Sequence, residues 1–299
     1  FKIWGIYLDG KPAKPQLPPS VLVTTLQATQ PLPKPEIKKG SAILSGQIFG
    51  NIPSEPKYQL LTTQVANIIT GEEEEYWIPI GKDEKVSIEI PVLTPTITYL
   101  DSHYYSGRIY LIPGETTELY VDANKMCMNQ SRYHCKSEKT NSMEHAYIKG
   151  SLNLSATGLN KLDVIYQMIN RRKMLNDVYN MNPEDYKTYL LQNMSNYLQS
   201  IKEDKSMSVN IQEIMYTDIK LYILLQLLSY QDNMKGAYSI KHNLNRDEME
   251  NSGYSRQEPD KSYYSFLKDF DLNNPYYLYL QYYPYVISNI MDIRRLNTR

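Results

Sequence analysis

Two rhythms divide this chain. Between Ser41 and Val121 apolar side chains recur at every second position; after Ala156 they recur every three to four. The alternation is clearest where Tyr76, Ile78 and Ile80 precede the polar run Gly81-Lys82-Asp83-Glu84, and Val86, Ile88 and Ile90 follow it. Successive strand side chains point to opposite faces, so the pattern predicts a β-hairpin with one buried face and with Ser87 and Glu89 in water. Ala42, Leu44 and Ile48 predict another strand, with Gly46 as a bulge candidate. Short runs at Tyr58–Leu61, Val65–Ile69, Ile97–Tyr99, Arg108–Ile112 and Glu118–Val121 continue the series, the last two flanking a Pro113-Gly114 turn. Several short strands punctuated by turn signals predict an antiparallel sandwich.

The later rhythm is helical. Leu159, Leu162, Tyr166 and Ile169 share one face of a predicted helix. Asn182-Pro183-Glu184-Asp185 is a start signal: a side-chain cap, a proline whose missing N–H costs nothing there, then acids at the positive end of the dipole. Tyr186, Leu190, Met194, Tyr197 and Ile201 line the face that follows. A third helix carries Ile211, Met215, Tyr222 and Leu225 and turns apolar all round at Leu221–Leu228, which predicts a central position. Lys241–Lys261 is polar and lacks periodicity, which predicts a loop or a partly disordered insert. Tyr263, Phe266, Leu267 and Phe270 predict a short amphipathic helix, and Asn274-Pro275 opens a last one running toward Met291, kinked at Pro284.

The reading is therefore an α+β protein, an N-terminal antiparallel β-sandwich followed by a C-terminal α-helical bundle. Residues 1–39 form an extended arm, since Pro12, Pro15, Pro18, Pro19, Pro31, Pro33 and Pro35 remove donors and hold φ. The sandwich takes residues 40–125, a polar linker 126–155, and the helical domain 156–299. No apolar run reaches the roughly 18 residues of a membrane-spanning helix. The chain opens on Phe1 rather than Met, which points to a cleaved leader or to an upstream piece left off.

Composition narrows the function. Basic and acidic side chains number 32 and 33, so no basic face is available to displace nucleic-acid counterions. Tyrosines number 28 against 4 Phe and 2 Trp, a choice that supplies apolar area with a polar tip. Cys127 and Cys135 are close enough in sequence for a small disulfide loop in an oxidising compartment; in a reducing one they are free thiols. With His134 and His145 they form the one cluster of metal-ligand types. Its seven-residue gap and adjacent His134-Cys135 fit a structural zinc site poorly, and no metal is assigned. Nucleophile elbows, glycine-rich phosphate loops and the His-Glu-x-x-His pattern are absent from the sequence, so no catalytic residue and no cofactor is assigned. Trp77 points away from the face of Tyr76, Ile78 and Ile80. With Tyr104 and Tyr105 it makes the set of candidate binding aromatics.

A resemblance then emerges from Gly40-Ser-Ala-Ile-Leu-Ser-Gly46, the stretch Ile78–Pro91, Thr96-Ile-Thr-Tyr-Leu100 and Leu111-Ile-Pro-Gly-Glu-Thr-Thr117, together with Tyr263-Tyr-Ser-Phe-Leu267 and Asn274-Pro275. This resembles the N-terminal accessory region of Bacteroidetes TlpA-like, thioredoxin-family proteins, in which a small β domain and a helical segment precede a thioredoxin fold. The family's catalytic Cys-x-x-Cys is not in this chain, so no catalytic residue carries over. The resemblance implies an exported setting, periplasmic or cell-envelope, with a lipid anchor outside this chain as the only membrane link. It implies a non-catalytic accessory module of a thiol-disulfide protein, whose partner is another protein or a downstream thioredoxin-fold domain. The alternative is a cell-envelope protein that captures a glycan or peptide on its Tyr and Trp surfaces.

Overall fold

The computed structural model describes residues 32–50, 52, 55–130, 144–163, 169–255 and 257–297. Most of the predicted arm, together with His134, Cys135 and Tyr166, lies outside the described residues. The chain divides into two compact units, residues up to 161 with 208–211, and residues 162–207 with 212–299.

The first unit is built from eight strands: β1 (Gly40–Phe49), β2 (Leu60–Ala66), β3 (Glu73–Pro79), β4 (Lys85–Val92), β5 (Thr96–Asp101), β6 (Ser106–Leu111), β7 (Thr116–Asp122) and β8 (Ala146–Lys149). They form two four-stranded sheets, ordered β4-β1-β7-β8 and β3-β2-β5-β6. All pairings are antiparallel except β1 with β7. The alternation delivers the inner faces. Ala42, Leu44 and Ile48 of β1, Val86 and Ile90 of β4, and Leu119 and Val121 of β7 are buried. So are Leu61 and Val65 of β2, Ile78 of β3, Leu100 of β5, and Ile109 and Leu111 of β6. Ser87 and Glu89 are exposed, as the phase requires.

Two expectations are corrected. β3 and β4 do not form a hairpin, since β3 pairs with β2 in one sheet and β4 with β1 in the other. The Gly81–Lys85 turn carries the chain between sheets, closed by Gly81 N–H to the Lys85 carbonyl at 2.7 Å. Period-2 alternation reports a buried face, and two strands have one whether they pair or face each other across a core. The Pro113-Gly114 turn likewise joins β6 to β7 in the opposite sheet, where Thr117 Oγ1 donates to the Tyr110 carbonyl at 2.7 Å. Gly46 is no bulge, because β1 pairs continuously with both neighbours. Its φ is +155°, and a Cβ there would run into the Leu119 backbone.

The span read as a linker also contributes structure. Asp122 Oδ1 accepts from Lys125 N at 3.0 Å and starts helix α1 (Ala123–Gln130). Then β8 adds to the edge of β7. Helix α2 (Ala156–Asn160), capped by Ser155, packs on β6 and β8 within this first unit. Asn160 Oδ1 accepts from Arg108 N at 3.1 Å, which occupies the outer edge of β6.

The second unit is helical. It holds α3 (Arg171–Asp177), α4 (Pro183–Glu203), most of α5 (Val209–Leu228), α6 (Tyr230–His242), α7 (Arg246–Glu250) and α8 (Tyr283–Asn297), with 3-10 turns at Tyr263–Asp269 and Pro275–Tyr279. The Asn182 cap is present, accepting from Asp185 N at 3.0 Å. Leu221, Ile223, Leu224 and Leu227 make the end of α5 a buried rod. The last carbonyls of a helix lack partners of their own. Here Tyr186 OH donates to the Gln226 carbonyl at 2.9 Å and Tyr263 OH to that of Leu227 at 2.8 Å. Asn233 Nδ2 joins this network by donating to Tyr186 OH at 2.8 Å and to Gln226 Oε1 at 3.1 Å. Phenylalanine would fill the same space and remove these two donors, which gives the high tyrosine count a physical role.

Other helical expectations shift. Of the predicted helix through Leu159 and Ile169, the described part is α-helical to Asn160 and a 3-10 turn over Lys161–Asp163; Ile169 lies outside regular structure, one residue ahead of the Asn170 cap of α3. Lys241–Lys261 is not a plain loop. It contains the end of α6, closed by Asn243 at φ +52°, and α7 with a capping box between Asn245 and Glu248. Asn274-Pro275 starts only a 3-10 turn, and Pro284 sits in the first turn of α8, where its missing N–H breaks no bond.

Candidate functional site

The exposed face of the second sheet brings two aromatic side chains out of a rigid ladder. Trp77 lies on the edge strand β3 and is 59% exposed; Tyr99 lies on β5 and is 47% exposed. Trp77 stands opposite Thr62, Thr62 opposite Asp101, and Tyr99 opposite Arg108. The two rings are thus two strands apart, about 10 Å across the ladder. Thr62 and Gln64 lie on β2 between them, and Glu75 flanks Gln64 on β3. Tyr99 OH and Ser106 Oγ are hydrogen-bonded at 2.8 Å, which steadies the ring. On the other half of this face, Tyr110 is buried and Gly150 packs against its ring.

Trp77 is where the strand phase placed it. Tyr104 and Tyr105 are not surface aromatics: they are only 3% and 2% exposed. Ser102 Oγ accepts from both of their backbone N–H groups, at 3.1 and 2.9 Å, and so tucks the β5–β6 turn inward. Tyr105 OH donates to the Arg108 carbonyl at 2.7 Å, and burial pushes the Tyr104 hydroxyl up to about 12. Tyr99, which sequence reasoning did not single out, had a usable signal. It is out of phase with the inward Leu100 and Thr98.

A cleft of about 840 Å³ opens at one end of the sandwich, between the start of β1, the β2–β3 turn and the β4–β5 connection. Its floor is apolar, with Val65, Ala66 and Val92; its rim carries Glu72, Glu73 and Glu74 against Lys39. Glu74 and Tyr76 stand opposite Val65 and Thr63 in the register, so both lie on the inner side of the sheet. Tyr76 OH donates to Glu74 Oε2 at 2.7 Å, and burial first, then that carboxylate, push the phenol up to about 12.

Cys127 sits half-buried in α1, and burial raises its thiol pKa, which disfavours the nucleophilic thiolate. Cys127 carries a free thiol, and the expectation of a disulfide to Cys135 falls on a residue outside the described ones. His145 Nδ1 lies 3.3 Å from Asn129 Nδ2. Among the described residues no group of three His, Cys, Asp or Glu side chains is gathered as a metal ion requires, and no helix is long and apolar enough to cross a membrane.

No protein-family model matches the chain, and neither a curated protein nor a solved structure matches it.

Proposed function

We propose that the chain is a non-catalytic interaction module of an exported thiol-disulfide protein, positioning a partner or a downstream thioredoxin-fold domain. The observation that carries this reading is the open half of the second sheet, where Trp77 and Tyr99 project from a backbone held by ladder hydrogen bonds. Large rings on a rigid surface lose little entropy on binding and bury much area, which suits a docking face. The order of the units, sandwich first and helices after, supports the likeness to TlpA-like accessory regions. The test begins with the reading frame beyond Arg299. The expected result is a Cys-x-x-Cys domain, with Trp77 fluorescence less accessible to acrylamide in the longer protein than in this chain; Trp4 is replaced by Phe to leave one reporter. A longer protein that lacks such a domain, or leaves Trp77 as accessible as before, refutes the reading.

A second reading is favoured by the polar groups between the rings. Thr62, Gln64 and Asp101 offer hydrogen bonds beside two stacking faces, a combination that holds a sugar chain or an extended peptide. On that reading a soluble oligosaccharide raises the melting temperature by mass action and quenches Trp77.

A further inference from the structure

The cleft at the end of the sandwich is a separate feature from the aromatic face, and its chemistry is different. Glu74 projects on the inner side of edge strand β3, opposite the buried Val65. An inward acid on an edge strand blocks pairing with another chain. That role needs no cavity, yet here the acid rims a concavity of about 840 Å³, within the size range of small-molecule sites. The partners of Glu72 and Glu74 are neutral hydroxyls, Thr70 Oγ1 at 3.2 Å and Tyr76 OH at 2.7 Å. Lys39 is the one basic side chain among the described residues of a rim that carries three acids, so the cleft keeps a net negative charge above an apolar floor, beside the Tyr76 ring. A cation on a hydrocarbon stem satisfies all three surfaces: stem against Val65 and Val92, charge between carboxylates, and an aromatic wall alongside.

We propose that this cleft binds an alkylammonium group, supplied by a lysine side chain of a peptide or by a free amine. The probe is n-pentylammonium titrated into the isotope-labelled chain and followed by backbone amide shifts, with 1-pentanol as its neutral counterpart. Saturable shifts confined to residues 65–76 and 91–96, absent with pentanol, are the expected result. Glu74→Gln keeps the acceptor for Tyr76 and removes the charge, so it should weaken binding about tenfold with the melting temperature unchanged. Glu72→Gln, on an exposed turn, repeats the test where folding is not at stake and should weaken binding in the same direction. A lysine tripeptide that binds more tightly than pentylammonium assigns the site to a peptide, and equal binding assigns it to a free amine; either supports the proposal. Equal binding of pentanol, shifts spread over every acidic surface, or Gln variants that bind like the parent overturn it.

Discussion

The backbone of Leu119 occupies the space where Gly46 would carry a Cβ. Gly46 lies opposite Leu119 in the parallel β1–β7 pairing, and a side chain there would collide with the Leu119 carbonyl. β1 is bonded on both sides, to β4 and to β7, so a shift to relieve the clash breaks one ladder or the other.

Gly46→Ala should therefore cost several kcal/mol, about 3 or more, because backbone cannot yield as a side chain can. Gly114→Ala is the control. Its φ of +82° strains any L-residue, but no atom lies within 4 Å of the added Cβ, so the cost should be about 1–2 kcal/mol. Urea unfolding of the two variants measures the difference; equal midpoints would contradict the close approach.

Strand phase predicts a second contrast. Ile90 is fully buried on β4 and Ser87 is exposed on the opposite face. Ile90→Asp should unfold the sandwich by placing an unpaired charge in its core, while Ser87→Asp should move stability by less than about 0.5 kcal/mol. Circular dichroism melts separate them.

The tyrosine hydroxyls that close the end of α5 predict a third. Tyr186→Phe and Tyr263→Phe keep the rings and leave the Gln226 and Leu227 carbonyls without these donors, at about 1–2 kcal/mol each. Because Asn233 Nδ2 donates to Tyr186 OH, Tyr186→Phe and Asn233→Ala should be non-additive in a double-mutant cycle.

The same tyrosines set an alkaline limit. Burial raises the Tyr186 and Tyr263 hydroxyls well above the ordinary value near 10. The unfolded chain then gives up these protons at lower pH than the folded one. Their contribution is whole below about pH 10 and is lost above it, at about 1.4 kcal/mol per pH unit per tyrosine until the folded groups titrate. Chemical unfolding between pH 8 and 11 should show this decline, less steep in each Phe variant.

Trp77 and Tyr105 predict opposite outcomes from similar truncations. Trp77→Ala removes an exposed ring and should leave stability within about 1 kcal/mol, whereas Tyr105→Ala empties a buried site and should cost about 3–5 kcal/mol. A large loss from Trp77→Ala would mean that the ring belongs to the core and not to a binding face.

What the residues determined alone was local. Alternation gave the inward positions of β1, β3 and β4 and the outward direction of Trp77, because a strand's side-chain period is a property of its backbone. Asn182-Pro183 gave the start of α4, because a cap bonds within its own first turn. Partner choice was decided only in three dimensions. That β4 joins β1 and not β3, and that β1 runs parallel to β7, depend on groups distant in sequence. Likewise, Glu74 is one member of an acidic run in the sequence, and only the tertiary structure sets this exposed acid on the rim of a cleft lined by Val65, Val92 and Tyr76, since a cleft exists only where separate segments meet. Short-range bonds leave their signature in neighbouring residues; burial against a remote surface leaves none.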